Sequence, residues 1–170
     1  ALWDRSRDAV VFRIHHAADR LRAIAQGRRA PDDFHRLRRQ RIDRHRTERP
    51  PEWTTIEERT DLVGAMTVAG DSLAIIDCLT LWTSNVMWEG RSDAEIQELA
   101  VRAARHAAAR SAPVVAVSNE VGLGIHPETD LGRRYRDVLG RVNQAWAGES
   151  TRSFLLVAGK ALELHDPFHD

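Results

Sequence analysis

The stretch VVAVSNEVGLGIHPETDLGRRYRDVLGRVNQ, residues 114–144, contains the pattern that decides the fold. Its first four residues, Val114–Val117, form a short apolar run that is typical of a strand buried on both faces. From Leu131 to Ala147, apolar side chains recur at helical spacing, and arginines fill the opposite side. The stretch therefore predicts a strand, a glycine-containing loop and an amphipathic helix in direct succession.

The same pattern continues on both sides of this stretch. Leu73–Ile76 and Phe154–Val157 are two further apolar runs of strand length. A helix is predicted from Ser92 to Arg110, because Ser92 and Glu95 have the spacing of a capping box and apolar residues share one face behind them. Strand, helix, strand, helix, strand in this order predicts an α/β fold with a mostly parallel sheet that is covered on both faces.

Polar or small residues follow the three predicted strands. Because ligands bind beyond the carboxyl ends of parallel strands, we expect the functional site near Asp77, Asn119 and Gly159. The Asp77 carboxylate could hold Mg²⁺ or a nucleotide hydroxyl, and it could equally cap the following turn. In the loop, Gly122 and Gly124 either permit a close backbone approach to a ligand or only shape a turn.

The first 50 residues follow a weaker pattern. Val10–Ile14 is an apolar patch, and Ala23–Ala25 could be a strand. A basic helix is predicted to begin near Pro31 and to end before Pro50, which places His45 in its last turn.

Composition favours one domain that acts on a small molecule. The chain has 170 residues, of which 42% are apolar, and this is enough for one core. Because 25 basic residues balance 25 acidic ones, bulk charge supports neither nucleic-acid nor membrane binding. With one cysteine and no apolar run of membrane-spanning length, we expect a cytoplasmic protein. Residues 1–170 are therefore expected to form a single domain, in which 1–30 are atypical and 161–170 form a polar tail.

The segment RIDRHRTERPPEW, residues 41–53, places His45 among several arginines. Guanidinium groups bind phosphate oxygens bidentately, and positive neighbours disfavour a protonated imidazole. The segment is thus suited to hold a triphosphate while a neutral His45 attacks its α-phosphorus to form a phosphoramidate. A solvated basic helix face with an occasional histidine is the alternative interpretation.

Five segments in order, RIDRHRTERPPEW, TIEE, IIDCLTLWTSNVM, VSNEVGLGIHPE and RRYRDVLGRVNQ, resemble the signatures of the adenosylcobinamide kinase and adenosylcobinamide-phosphate guanylyltransferase family of cobalamin biosynthesis. The resemblance covers about residues 31–160. It implies a RecA-like, P-loop NTPase-type three-layer fold and a homotrimer. It also implies phosphorylation of adenosylcobinamide, with GTP or ATP as donor, and then transfer of GMP from GTP to the phosphate.

The resemblance also assigns roles to individual residues. His45 corresponds to the histidine that becomes guanylylated, and Mg²⁺ would neutralise the triphosphate. The implied nucleotide-binding residues are Arg46, Thr47, Glu48, Arg49, Glu57 and Asp77. The implied substrate or nucleotide loop contains Asn119, Glu120, Gly122 and Gly124.

The resemblance breaks at the start of the chain. The family carries a glycine-rich phosphate loop of the GxxxxGKS kind, whereas the matching register here is LWDRSRDAV, with Arg7, Asp8 and Ala9 where Gly, Lys and Ser are expected. Lys160 is the only lysine in the chain. Three explanations stay open: a degenerate paralogue, a missing or frame-shifted N-terminus, or a guanylyltransferase that binds GTP through its arginines.

Two functions from different classes follow. The first is a guanylyltransferase that acts through His45, with an impaired kinase step. The second is a catalytically degenerate family member that serves as a binding or scaffold subunit. An unrelated α/β hydrolase is disfavoured, because the chain lacks a GxSxG elbow.

Overall fold

The computed structural model describes residues 9–14 and 53–166. The elements in chain order are β1 (Ala9–Ile14), β2 (Thr54–Glu58), α1 (Leu62–Val68), β3 (Leu73–Asp77), α2 (Leu79–Trp88), α3 (Asp93–Ala108), β4 (Val114–Val117), α4 (Asp130–Glu149), β5 (Ser153–Val157) and β6 (Lys160–Leu164). The α/β class and the two predicted helices, now α3 and α4, are confirmed. Among the helices of these described residues, none is both long and apolar enough to span a membrane.

Four strands form a parallel sheet in the order β2-β1-β3-β4. Strand β1 lies inside this sheet, and its Arg13 pairs in register with Glu57 on one side and with Asp77 on the other. On the far side of β3, Asp77 pairs with Val117. The carboxyl ends of all four strands therefore meet at one edge, as predicted for the mostly parallel sheet.

The last predicted strand belongs to a different sheet. Strand β5 pairs antiparallel with β6 in a separate two-stranded hairpin, so the prediction that it continues the parallel sheet is wrong. The reason is local: Ala158 and Gly159 both have positive φ, 50° and 73°, and this two-residue turn reverses the chain. Residues 161–164, predicted as part of a polar tail, are strand β6 instead.

The placement of a degenerate phosphate loop at LWDRSRDAV is also wrong. A phosphate loop runs into the N-terminus of a helix, so this register requires a helix to begin near Ala9. Ala9 instead begins strand β1, which pairs with two neighbours over its length. The apolar patch Val10–Ile14 is thus part of a regular strand. The predicted strand at Ala23–Ala25 and the basic helix with His45 lie outside the described residues.

The core lies among the helices and strand β3. Its buried side chains are Leu62, Ala65, Met66, Ala69, Ala74, Ile76, Leu79, Trp82, Val86, Met87, Ile96, Ala100, Ala103, Ala104, Val138, Val142 and Trp146. The predicted apolar face of α4 is confirmed, except that Leu131 is 62% exposed in the first turn of the helix.

Strand β4 departs from the prediction of burial on both faces, since its Val115 is 40% exposed. This strand lies at the edge of the four-stranded sheet, and no other described strand pairs with its outer side.

Two hydrogen bonds hold the end of β2 close to the end of β3. Trp82 Nε1 donates to the Thr60 carbonyl at 2.8 Å, and Asn85 Nδ2 donates to the Arg59 carbonyl at 3.2 Å. Both donors lie on α2, which follows β3 directly. The buried face of α2 therefore positions the turn after β2 relative to Asp77.

Candidate functional site

Glu57 and Asp77 lie at the carboxyl edge of the parallel sheet. Because both pair with Arg13 of the strand between them, their Cα atoms are about 10 Å apart at ordinary strand spacing. Both residues are exposed. The register thus brings together the two acidic residues that the resemblance places near GTP.

The carboxylates at this edge fit the way in which Mg²⁺ binds to nucleotides. Mg²⁺ is commonly held by one or two carboxylates, and water and substrate phosphates complete its octahedron. Within the described ranges, no group of three or more His, Cys, Asp or Glu side chains could hold a metal ion by itself. Asp77 and Glu57 are carboxylates of the kind that bind Mg²⁺ together with water and phosphate oxygens.

Glu58, the neighbour of Glu57, has a structural role. Its Oε1 accepts hydrogen bonds from the backbone N–H groups of Arg59 at 2.6 Å, Thr60 at 2.9 Å and Asp61 at 3.1 Å. Burial alone would raise the pKa of this carboxyl, but the three N–H groups outweigh burial, and the pKa of Glu58 is lowered. Glu58 therefore closes the turn that leads from β2 into α1.

A polar network joins the ends of β3 and β4. Thr80 Oγ1 accepts from the backbone N–H of Asn119 at 3.1 Å and from Asn119 Nδ2 at 3.0 Å. Asn143 on α4 donates to the Asn119 carbonyl at 3.2 Å, and its Oδ1 accepts from the Ser118 hydroxyl at 2.6 Å. Asn119 is thereby held from two elements, close to the strand end that carries Asp77.

Tyr135 makes a further hydrogen bond to Thr80 of this network. Its hydroxyl donates to the Thr80 carbonyl at 3.0 Å. Burial, together with the nearby Cys78, raises the pKa of Tyr135 to about 12. The phenol is therefore protonated at neutral pH and remains a hydrogen-bond donor.

The loop after Asn119 is shaped by a close contact at Gly122. The Gly122 N–H donates to Glu120 Oε1 at 2.5 Å, and a Cβ atom added at Gly122 would lie 2.8 Å from that oxygen. Gly124 donates to the Val121 carbonyl at 3.4 Å and closes a turn. A residue without a side chain is thus required at position 122. The group that approaches its backbone is the carboxylate of Glu120 in the same loop, and not a ligand.

Two arginines near the start of α4, Arg133 and Arg134, make internal contacts. Arg133 donates to the Pro127 and Glu128 carbonyls at 3.1 and 2.8 Å, which fastens the end of the loop to the helix. Arg134 binds Asp93 of α3 at 2.7 Å. These two side chains therefore hold the loop and the helices together.

Arg136 lines a cleft beside the loop. Its Nε and one terminal nitrogen donate to Asp137 at 3.0 and 2.9 Å, and the other terminal nitrogen contacts His126 Nδ1 at 2.7 Å. The cleft has a volume of about 420 Å³ and is lined by Glu120, Gly122, Arg136, Asp137, Gly140, Arg141 and Gln144. We call it the α4 cleft.

The predicted site residues fall into three groups. Glu57, Asp77 and Asn119 lie at the shared sheet edge, whereas Glu120 and Gly122 line the α4 cleft. Gly159 was expected at the same edge, but it lies in the hairpin turn. The third group, His45, Arg46, Thr47, Glu48 and Arg49, lies outside the described residues.

The sequence prediction missed the residues that hold Asn119 in place. Thr80 and Asn143 lie within the quoted segments IIDCLTLWTSNVM and RRYRDVLGRVNQ, but no role was assigned to them. Their signal was only a hydroxyl just after a strand and an amide on a helix, and both occur widely in α/β domains.

Comparison with known proteins identifies the family. The sequence profile of the cobinamide kinase / cobinamide phosphate guanyltransferase family matches residues 13–164. The bifunctional adenosylcobalamin biosynthesis protein CobU of Escherichia coli strain K12 is 32% identical over 142 residues, which cover 73% of this chain and 76% of the relative. CobU of Salmonella typhimurium is 34% identical with the same coverage.

A third relative comes from a different genus. The bifunctional adenosylcobalamin biosynthesis protein CobP of Pseudomonas aeruginosa is 33% identical over 133 residues, which cover 73% of this chain and 72% of the relative. The profile match spans His45, the Glu57–Asp77 edge and the α4 cleft. The chain therefore belongs to the cobinamide kinase / cobinamide phosphate guanyltransferase family.

Proposed function

We propose that this chain transfers GMP from GTP to cobinamide phosphate through a covalently guanylylated His45. The observation that carries the proposal is the family match over residues 13–164, which includes the arginine-rich segment around His45. The pairing of Glu57 and Asp77 with the same residue of β1 supports it, because two carboxylates then flank one edge where a nucleotide could bind.

The reaction has two displacement steps at one phosphorus atom. In the first, an imidazole nitrogen of His45 attacks the α-phosphorus of GTP, a P–N bond forms, and the bond to pyrophosphate breaks. In the second, a phosphate oxygen of cobinamide phosphate attacks the same phosphorus, and the P–N bond returns its electron pair to the imidazole. The products are pyrophosphate and cobinamide-GDP, in which a diphosphate joins guanosine to cobinamide.

The roles of the other residues follow from their chemistry. Arg46 and Arg49 would stabilise the charge that develops on the phosphates, and Thr47 and Glu48 would contact the nucleotide. Glu57 and Asp77 would hold Mg²⁺, which neutralises triphosphate charge when it is bound. Asn119, fixed by Thr80 and Asn143, would present its amide at the same edge.

The test is a labelling experiment with α-³²P-GTP and Mg²⁺. We expect acid-labile, base-stable label on the protein that is absent in His45→Ala and retained in the control His106→Ala, which alters a histidine of α3. Label that persists in His45→Ala would contradict the proposed nucleophile.

The same preparation tests the scaffold alternative. If calorimetry shows no GTP binding at millimolar nucleotide while cobinamide phosphate still binds, the chain is a binding subunit and the transferase proposal fails. The described residues contain no glycine-rich loop of the GxxxxGKS kind between a strand and a helix. The RecA-like three-layer arrangement and the homotrimer are proposed from the resemblance alone, and a cytoplasmic location is proposed from the composition of the sequence.

A further inference from the structure

The α4 cleft lies between one face of α4 and the loop that follows β4. Gly140 forms part of its wall, and a Cβ atom added there would meet no other atom within 4 Å. Helix backbone is thus accessible from the cleft, since the residue at this position has no side chain. The volume of about 420 Å³ lies in the range of small-molecule sites.

The charges of the α4 cleft disfavour a triphosphate. Two guanidinium groups, of Arg136 and Arg141, are balanced by two carboxylates, of Glu120 and Asp137. Arg136 is already paired with Asp137 through two hydrogen bonds. A triphosphate in this cleft would therefore meet carboxylates at close range without an excess of positive charge to offset them.

The same lining suits a ligand that is rich in neutral amides. An amide group donates and accepts at once, and the cleft offers carboxylate acceptors in Glu120 and Asp137, guanidinium donors in Arg141, and both functions in Gln144. A corrinoid is a flat macrocycle whose edge carries several carboxamide side chains. Its chemistry is thus complementary to the cleft.

The loop next to the cleft extends this complementarity. Leu123 and Ile125 are 80% and 97% exposed, and they lie one and three residues after Gly122 of the cleft lining in sequence. Large apolar side chains beside a polar cleft can cover the face of a ring whose edge is hydrogen-bonded. We infer that the α4 cleft binds the amide-bearing edge of the corrinoid substrate, separately from the nucleotide site; this inference rests on the proposed function.

Two glycines of the same helix allow a matched test. A leucine at Gly140 would fill the α4 cleft, whereas Gly148, where an added Cβ atom would also meet open space, does not line it. Replacing either glycine should favour the helix, so Gly140→Leu and Gly148→Leu should both fold. Helical circular dichroism and the thermal midpoint check this point.

The measurement is equilibrium binding of cobinamide, followed by its visible absorbance, on the full chain. We expect Gly140→Leu to bind cobinamide at least about tenfold more weakly, Gln144→Ala to bind it more weakly by a smaller factor, and Gly148→Leu to bind it like the wild type. GTP-dependent labelling should be equal in all four proteins.

The outcomes separate this inference from the proposed function. Unchanged cobinamide affinity in Gly140→Leu, or an equal loss in Gly148→Leu, would overturn the corrinoid site, whatever the labelling shows. A wild type without label, combined with a selective loss of cobinamide binding in Gly140→Leu, would overturn the transferase and leave the corrinoid site supported.

Discussion

Glu57 and Glu58 are neighbours in sequence with different surroundings. Glu58 accepts three backbone N–H groups at the end of β2, which fix its position and lower its pKa. Glu57 pairs in register with Arg13 at the candidate nucleotide edge. One carboxylate thus stabilises the fold, while the other lies at the edge proposed for nucleotide binding.

The roles of Glu57 and Glu58 can be distinguished by measuring how each substitution changes the free energy of unfolding at different pH values. We expect Glu58→Gln to lower the free energy of unfolding at pH 7 by about 1 kcal/mol, after allowance for its partial exposure. Because the folded-state pKa of Glu58 is lowered, its contribution is present above the unfolded-state pKa and is lost as the pH falls through the folded-state value. The difference between the wild type and Glu58→Gln should therefore shrink below about pH 4 in urea titrations.

Glu57→Gln is the matched control. It removes the same charge one position earlier, and we expect it to reduce GTP-dependent labelling with less effect on stability. Equal destabilisation by both variants at every pH would contradict the division of roles.

The types and positions of residues in the sequence indicated only some of the side chains at the carboxyl edge of the parallel sheet. Asp77 and Asn119 follow apolar strands, and the parallel register brings their strand ends together, so their placement could be predicted. The contacts of Thr80 and Asn143 depend on how α4 packs across the ends of β3 and β4, with partners 39 and 24 residues distant in sequence. Local patterns carry no information about such pairs.

Helix α4 begins where the loop packs against its first turn. Thr129 is the N-cap and accepts from the Gly132 N–H at 3.1 Å. A Cβ atom at Gly132 would lie 2.9 Å from Pro127 Cβ and 3.0 Å from Thr129 Oγ1. The helix start thus requires a residue without a side chain at this position.

Gly132→Ala should therefore destabilise the protein even though alanine favours helices. We expect a net loss of about 1–2 kcal/mol, because the contact with a rigid proline ring outweighs the gain in helix propensity. Gly148→Ala in the same helix meets no such contact and should gain up to about 1 kcal/mol. Thermal unfolding of both variants measures the difference, and a stabilising Gly132→Ala would show that the first turn can shift freely.

Helices in which apolar residues recur at a clear spacing could be predicted from the sequence. Elements without such a spacing could not. Helix α3 shows both hydrogen bonds of the predicted capping box. Helix α2 buries residues around most of its circumference, including Trp82, Thr83 and Asn85, so it lacks the polar stripe that marks a helix in sequence. The β5–β6 hairpin was missed because an apolar run before Ala158–Gly159 fits a parallel strand as well as an antiparallel one.

At the scale of the whole molecule, stability depends on which apolar residues are buried. Leu139 is fully buried, at 0% exposure, whereas Leu131, two turns earlier on α4, is 62% exposed. We expect Leu139→Ala to cost about 2–5 kcal/mol, because it removes a packed side chain and leaves a cavity. Leu131→Ala should change stability by less than about 0.5 kcal/mol. Chemical denaturation tests the pair, and similar losses would contradict the burial of α4 described above.

The central position of β1 affects how this chain is assembled during synthesis. Strand β1 pairs with β2 and β3, whose residues leave the ribosome later, and the register joins Arg13 to both Glu57 and Asp77. Pairing over such separations is slow, because the intervening chain must first be closed into a loop. The nascent strand therefore lacks its β3 partner until more than sixty further residues have been translated, and a chaperone that shields its open side during that interval would increase the yield of folded protein.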